Sequence, residues 1–311
     1  MEALASSWVL VSFLGAWFFS LRSLNGASPV PTRAKQLQSW WLRLTNVGTR
    51  LIIIFMLLAS VVAAQSDNPQ NSSGPSIPVD QANAQKARTL INQAIAALGG
   101  NAYLNIQDIS QEGRTYSFYH GKPNSLGILF WRFYKYPDRD RIELTKQRDV
   151  AYVFIADKGY EITYKGTHPQ DPKDVANYVR RHHYALDMVL RTWINDPKTA
   201  LFYEGDTVAD EKPAEQVTIL NSKNEGLTVY FDKDTHLPIR KSFTWRDPTD
   251  KERNVEEEGY DGYREVQGIM TPFRTTTYYN GDMAGQRFLT AVSYNQGLAD
   301  SMFNTMPTRA K

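Results

Sequence analysis

His182, His183 and Asp187 are the residues whose types and spacing come nearest to catalytic chemistry. An imidazole serves as general base in acyl transfer when it is correctly placed against a reacting hydroxyl. His183 and Asp187, one helical turn apart, could also grip a metal ion, but no further ligands lie nearby. The glycine expected after the acid in such an acyl-transfer arrangement is Met188 here, and His182 falls on an apolar helical stripe. No Gly-x-Ser-x-Gly elbow, phosphate-cradling glycine loop or dinucleotide fingerprint occurs in the chain. The expectation is a protein without catalysis, cofactor or metal, with a hydrolase as the weakest of three readings.

Two other groups could bind rather than react. Arg132, Lys135, Arg139 and Arg141 cluster where one strand pattern ends and the next begins. Arg132, Lys135 and Arg141 could meet a lipid headgroup, or the cluster could pair with Asp138, Asp140 and Glu143 as a solvated, salt-linked surface, the favoured reading. Leu129, Trp131 and Phe133 share one face of a strand pattern, with Tyr152 and Ile162 on neighbouring strands. Leu186, Val189, Leu190 and Trp193 follow at helical spacing. Together these could line a lipid-binding cavity and its lid, since each buried methylene contributes about 0.8 kcal/mol, or they could simply be core. Glu256, Glu257 and Glu258, close after Asp250, Lys251 and Arg253, read as a charged loop.

The elements that must position these residues begin after a leader. The apolar run over 51–58 follows Arg43 and Arg50, and Val62 and Ala64 supply the small side chains that a signal peptidase needs. Residues 1–64 therefore divide into a signal over about 43–64 and a preceding stretch, 1–42. That stretch is either a start called too far upstream or a membrane segment at Trp8 to Leu21. Residues 65–79 have the composition of a flexible linker, and 80–307 suit one domain. Zero cysteines exclude disulfides, thiolate sites and a lipidated N-terminal cysteine, and a net charge of only +2 argues against nucleic acid. The expectation is an exported, freely diffusing periplasmic monomer, cut near Ala64.

Asp80 starts one amphipathic helix that Gly99 and Gly100 stop. Short runs rich in Tyr, Phe, Val and Ile then read as antiparallel strands. Asp171 and Pro172 open a second helix that carries Val175, Val179, His182, Leu186, Val189, Leu190 and Trp193 as one long stripe, ending at Asp196 and Pro197. The β pattern returns after Leu201. The fold class expected is α+β and mainly antiparallel β: a half-open, incomplete β-barrel of about ten or eleven strands with helices over its mouth.

Three segments carry a family resemblance. Phe130 to Arg139, followed by Arg141 to Leu144 and Asp157 to Ile162, resembles the LolA-like carriers of outer-membrane lipoproteins. Phe231 to Arg240 is similar to that family's central turn, and the ending from Tyr294 to Phe303, with Pro307 after it, is similar to its close. The resemblance implies an incomplete barrel with a helical lid that shields acyl chains, with lipid or acylated lipoproteins as partners and transfer proteins at the inner and outer membranes. It leaves open a sensing module of the same fold whose occupancy controls a membrane partner.

Overall fold

The structure is a computed structural model that describes residues 79–305; the signal, its cleavage point and the linker up to residue 78 lie outside the described residues. Helix α1 (Val79–Leu98) places Ala87, Leu90, Ile91, Ala94 and Leu98 on one buried face, the three- and four-residue spacing of an amphipathic helix. It ends at Gly99, where φ is +125° and an added Cβ would lie 2.3 Å from the Gly268 carbonyl oxygen. Only glycine fits that turn. A short helix, α2 (Asn101–Leu104), leads into the sheet.

The sheet is one antiparallel meander folded back on its first strand. From β1 (Asp108–Tyr119), one arm runs through β3 (Ile128–Lys135), β4 (Arg139–Leu144), β5 (Val150–Ile155) and β6 (Lys158–Thr163) to β7 (Gly166–Pro169); β2 (Lys122–Pro123) pairs only with β1. The other arm starts at β14 (Asp282–Tyr294), also paired with β1. It returns through β13 (Ile269–Tyr279), β12 (Arg253–Val266), β11 (Pro238–Arg246), β10 (Gly226–Asp232) and β9 (Lys212–Leu220) to β8 (Ala200–Ala209). β7 and β8 are the two free edges, so the sheet is not closed. The chain joining them, α3 (Pro172–His183), α4 (Leu186–Arg191) and a 3₁₀ turn at Trp193–Asn195, leads from one free edge to the other and packs over the concave face. This connection is the lid.

Three expectations are corrected. The sheet has fourteen strands rather than ten or eleven. One overlooked strand, β8, exposes Phe202, Glu204, Asp206 and Val208 on alternate positions, as an edge strand with a wet face does. Glu256, Glu257 and Glu258 are not a loop: they sit in β12, and Glu256 and Glu258 are tied by ion pairs to Arg180, Arg181 and Lys241. The long second helix is two helices broken at Tyr184 and Ala185. There the Tyr184 ring stacks on Phe243 and the Lys241 ammonium donates to the Tyr184 carbonyl at 2.9 Å, satisfying a group the helix would otherwise use.

The larger core cluster joins α1 to β9, β10 and the 3₁₀ turn through Leu90, Ile91, Val217, Ile219, Val229, Phe231 and Trp193. A smaller one joins Phe130, Leu144, Tyr152, Phe154, Tyr178 and Leu289. Among the described residues no helix is long and apolar enough to cross a membrane.

Candidate functional site

Between the concave face of the sheet and the lid lies a cavity of about 290 Å³. Strand register gives it two unlike ends. Ile109 lies opposite Tyr294 and Tyr134, and with Leu98, Ile106, Ile269 and Met270 it makes an apolar end. Glu258 lies opposite Thr277, and Thr277 opposite Gly285, at the far ends of the same strands, where the charges gather.

Each charge there is compensated. Arg132 grips Asp140 through Nε (3.0 Å) and Nη2 (2.8 Å), and the Tyr178 hydroxyl donates to the same carboxylate at 3.2 Å. Glu256, only 3% exposed at its side chain, accepts from Arg180 at 2.8 Å and Arg181 at 2.6 Å, so two lid cations clamp one acid of the wall. The Lys241 ammonium lies 3.0 Å from Glu258, which also accepts from the Tyr260 hydroxyl at 2.8 Å. Burial alone would raise the Glu258 carboxyl, but Lys241 and Arg287 override it and hold it at about 2. Tyrosines 134, 136, 178, 260, 263 and 294 complete a wall of rings with polar tips.

The histidine pair does not assemble a catalytic constellation. His182 stacks parallel to Tyr178 at 5.9 Å and its Nε2 lies 3.1 Å from the Pro137 carbonyl, while burial lowers its pKa. His183 turns to Glu225 at 2.9 Å, and Asp187 takes the Tyr136 hydroxyl. Among the described residues no group of three His, Cys, Asp or Glu side chains could hold a metal ion.

The strand alternation places the sequence candidates on both sides of the sheet. On β3 it is Arg132 and Tyr134 that line the cavity; Leu129, Trp131 and Phe133 do not, and the Arg148 guanidinium lies over the rings of Trp131 and Phe133 at 5.2 and 5.6 Å. Leu186 lines the cavity, whereas Val189, Leu190 and Trp193 are core. Tyr152 is buried in the smaller cluster with its hydroxyl on Glu161, and Ile162 is half-buried opposite Ala151 on β5. Of the basic group, Arg132 faces inward. Lys135 binds the Leu298 carbonyl and Asp300, and Arg141 binds Glu143 and the Met302 carbonyl, so both hold the C-terminal segment to the sheet. Asp140 and Glu143, which Arg132 and Arg141 bind, are acids that the salt-linked alternative names, but both are buried rather than solvated.

Lys241, Glu256, Glu258, Arg287 and the tyrosines escaped the sequence reading. The run of three glutamates, Glu256 to Glu258, hides the strand's alternation, because the inward and outward residues are of one type.

The class defined so far is an open antiparallel sheet with a helical lid over a two-ended cavity. No family model matches the chain, and no curated protein matches it. Among solved structures it is similar to a DUF1329 family protein from Desulfovibrio piger (14% identity, TM-score 0.48, covering 70% of this chain and 97% of that one). It is also similar to an outer membrane lipoprotein-sorting protein domain from Vibrio parahaemolyticus (9% identity, TM-score 0.48, 71% and 97% covered). A LolA superfamily protein from Nitrosomonas europaea is a third (10% identity, TM-score 0.43, 70% and 97% covered).

Proposed function

We propose that this protein binds lipid, or an acyl chain of a lipoprotein, in the cavity beneath the lid and carries it without chemistry of its own. The single observation behind this reading is the cavity itself, enclosed between the concave sheet and a lid anchored on the two free edges. A concave, partly apolar site with a few placed polar groups is how proteins hold small apolar ligands. The setting we propose is the periplasm, with the leader removed near Ala64, residues 80–307 as the binding domain, transfer partners at the inner and outer membranes, and a monomeric carrier. The purified protein should enhance the emission of a fluorescent acyl probe, and mass spectrometry should find lipid copurifying with it. Absence of both would sink the reading.

A second reading, a sensor whose occupancy controls a membrane partner, is favoured by one feature. The lid is tied to the wall by ion pairs, Arg180 and Arg181 on Glu256, which a ligand could rearrange. Capture of one stoichiometric membrane protein, with no cargo passed to an acceptor, would favour it over the carrier. Hydrolysis of an acyl ester by the wild type, lost in His183→Ala, is the result that would revive an enzyme.

A further inference from the structure

Antiparallel pairing sends every second connection of the sheet to the same end. In the arm that leaves β1, the connections after β1, β4 and β6 lie together there: residues 120–127, 145–149 and 164–165. Such tips are normally built from Gly, Asn, Asp, Ser and Pro. The first and third of these also turn bulky side chains to water. Leu126 is 97% exposed, Tyr164 84%, and Tyr119, the last residue of β1, 60%. Single exposed apolar residues are ordinary, but these three share one rim. Leu126 is held in place there, because the connection folds back on β1: the Ser117 amide donates to Ser125 Oγ at 2.8 Å, and the Ser117 hydroxyl donates to the Asn124 side chain.

Cations stand between these side chains. Lys122, Lys146 and Lys165 are exposed, one on each tip, and none makes an ion pair among the described residues. Of the other charges, Arg148 binds Glu143 of β4, and His120 faces Asp282 of the adjoining hairpin. Asp149, which accepts from the Thr145 hydroxyl, is the only acid in the three tips. The same end of the other arm differs in kind. Its connections, 221–225, 247–252 and 280–281, carry Glu225, Asp247, Asp250 and Glu252 with Lys223 and Lys251, and no aromatic or branched apolar side chain.

We propose that the tips after β1, β4 and β6 form a rim that docks this protein on an anionic lipid bilayer. Leu126, Tyr119 and Tyr164 enter the interface, while Lys122, Lys146 and Lys165 face lipid phosphates. Leucine gains by leaving water, tyrosine keeps its hydroxyl among the headgroups, and each lysine near an anionic surface raises the partition about fivefold. Binding of this kind scales with buried apolar area plus attraction to anionic lipid. From β1 to β6 the rim crosses four strand spacings, on the order of 20 Å along the sheet. A broad, yielding partner suits separate tips better than a pocket does. The rim is distinct from the cavity, so this inference goes beyond the carrier reading and does not need it.

The chain has no cysteine, so a single one can be introduced and labelled with the environment-sensitive fluorophore NBD. Labels on Leu126→Cys and Tyr164→Cys should move to shorter wavelength on vesicles of phosphatidylcholine mixed with phosphatidylglycerol, and stay unchanged on phosphatidylcholine alone. A label on Val208→Cys, exposed on β8, should stay unchanged on both. Equal shifts at all three positions overturn the proposal. So does no shift at 126 and 164 while the protein sediments with the vesicles, since another part of the chain would then make the contact. Replacing Lys122, Lys146 and Lys165 together by Gln should raise the lipid concentration that half-shifts the label at 126 by about a hundredfold; an unchanged midpoint overturns the role of charge. Binding to natural membranes that protease treatment removes, with none to pure lipid, would make the rim a protein-docking surface and overturn the proposal as well. Failure of the wild type to take up an acyl probe would count against the carrier reading and leave the rim standing.

Discussion

The concave face carries two helical elements, and they are attached by opposite means. α1 lies along β8 and shares one buried, wholly apolar cluster with β9 and β10 through Leu90, Ile91, Ala94, Val217, Ile219 and Val229. α3 is held to β12 by Arg180 and Arg181 on Glu256 and to β4 by Tyr178 on Asp140, while Val179 on the same helix is exposed. Apolar burial is additive and non-directional, so it makes a permanent floor. Buried ion pairs give little net stability, because desolvation offsets attraction, but they fix one geometry and separate into groups that water or a charged ligand can satisfy. The difference distinguishes a structural helix from a lid.

The sharpest way to break this comparison is to weaken the floor. Phe231, 1% exposed beneath α1, should cost about 4 kcal/mol of global stability when replaced by alanine, seen as a lower denaturant midpoint with unchanged slope. A loss confined to probe uptake would contradict the floor's structural role. Glu256→Gln tests the other side. It leaves two lid arginines over an uncharged partner and should cost about 3 kcal/mol, with faster hydrogen exchange concentrated in residues 172–183 rather than in α1. Uniform exchange across both helices would mean that the lid is not a separate unit. A third probe sits at the corner that anchors α1. Gly99→Ala forces a Cβ against the Gly268 carbonyl at positive φ and should cost about 2 kcal/mol, read as a lower melting temperature with probe affinity retained.

The floor was far more legible in sequence than the lid. α1 announces itself by apolar spacing and the glycine pair, and its burial follows directly. The strands from β9 onward read from β-branched and aromatic alternation, and so did the second half of β12, but its first half did not, because it holds Asn254 to Glu258 and strand propensity ranks glutamate low. Glutamates enter a strand's buried face only when cations from elsewhere in the chain meet them, and Arg180, Arg181 and Lys241 are far away in sequence. The same parity problem misplaced β3. Leu129, Trp131 and Phe133 look like the inner face by hydropathy, yet the partners of Arg132 and Tyr134 put the polar set inside. A one-residue choice of face exchanges a strand's two sets of side chains, and only tertiary pairing settles it.

The smallest expected effect is on pH, and it belongs to the lid alone. Burial lowers His182 below its ordinary 6.5, so any open form takes up the proton first and lid closure weakens as pH falls below about 6.5. Asp174, in the first turn of α3, runs the other way. Burial, helped by Asp171, raises it from 3.8 to about 6, so its stabilising share is complete below 3.8 and is lost as pH rises through 6. Between pH 4 and 6 the two groups oppose each other, and the wild-type melting temperature should change little across that window from these sites. Removing one exposes the other. Asp174→Asn should raise the melting temperature at pH 7.5, where the buried carboxylate is charged, and should leave a slope falling toward acid that His182→Gln abolishes. α1 carries no titrating group on its buried face, so hydrogen exchange in α1 should stay level while that of α3 moves. If α1 tracked α3 through the same pH range, the floor and the lid would be one cooperative unit.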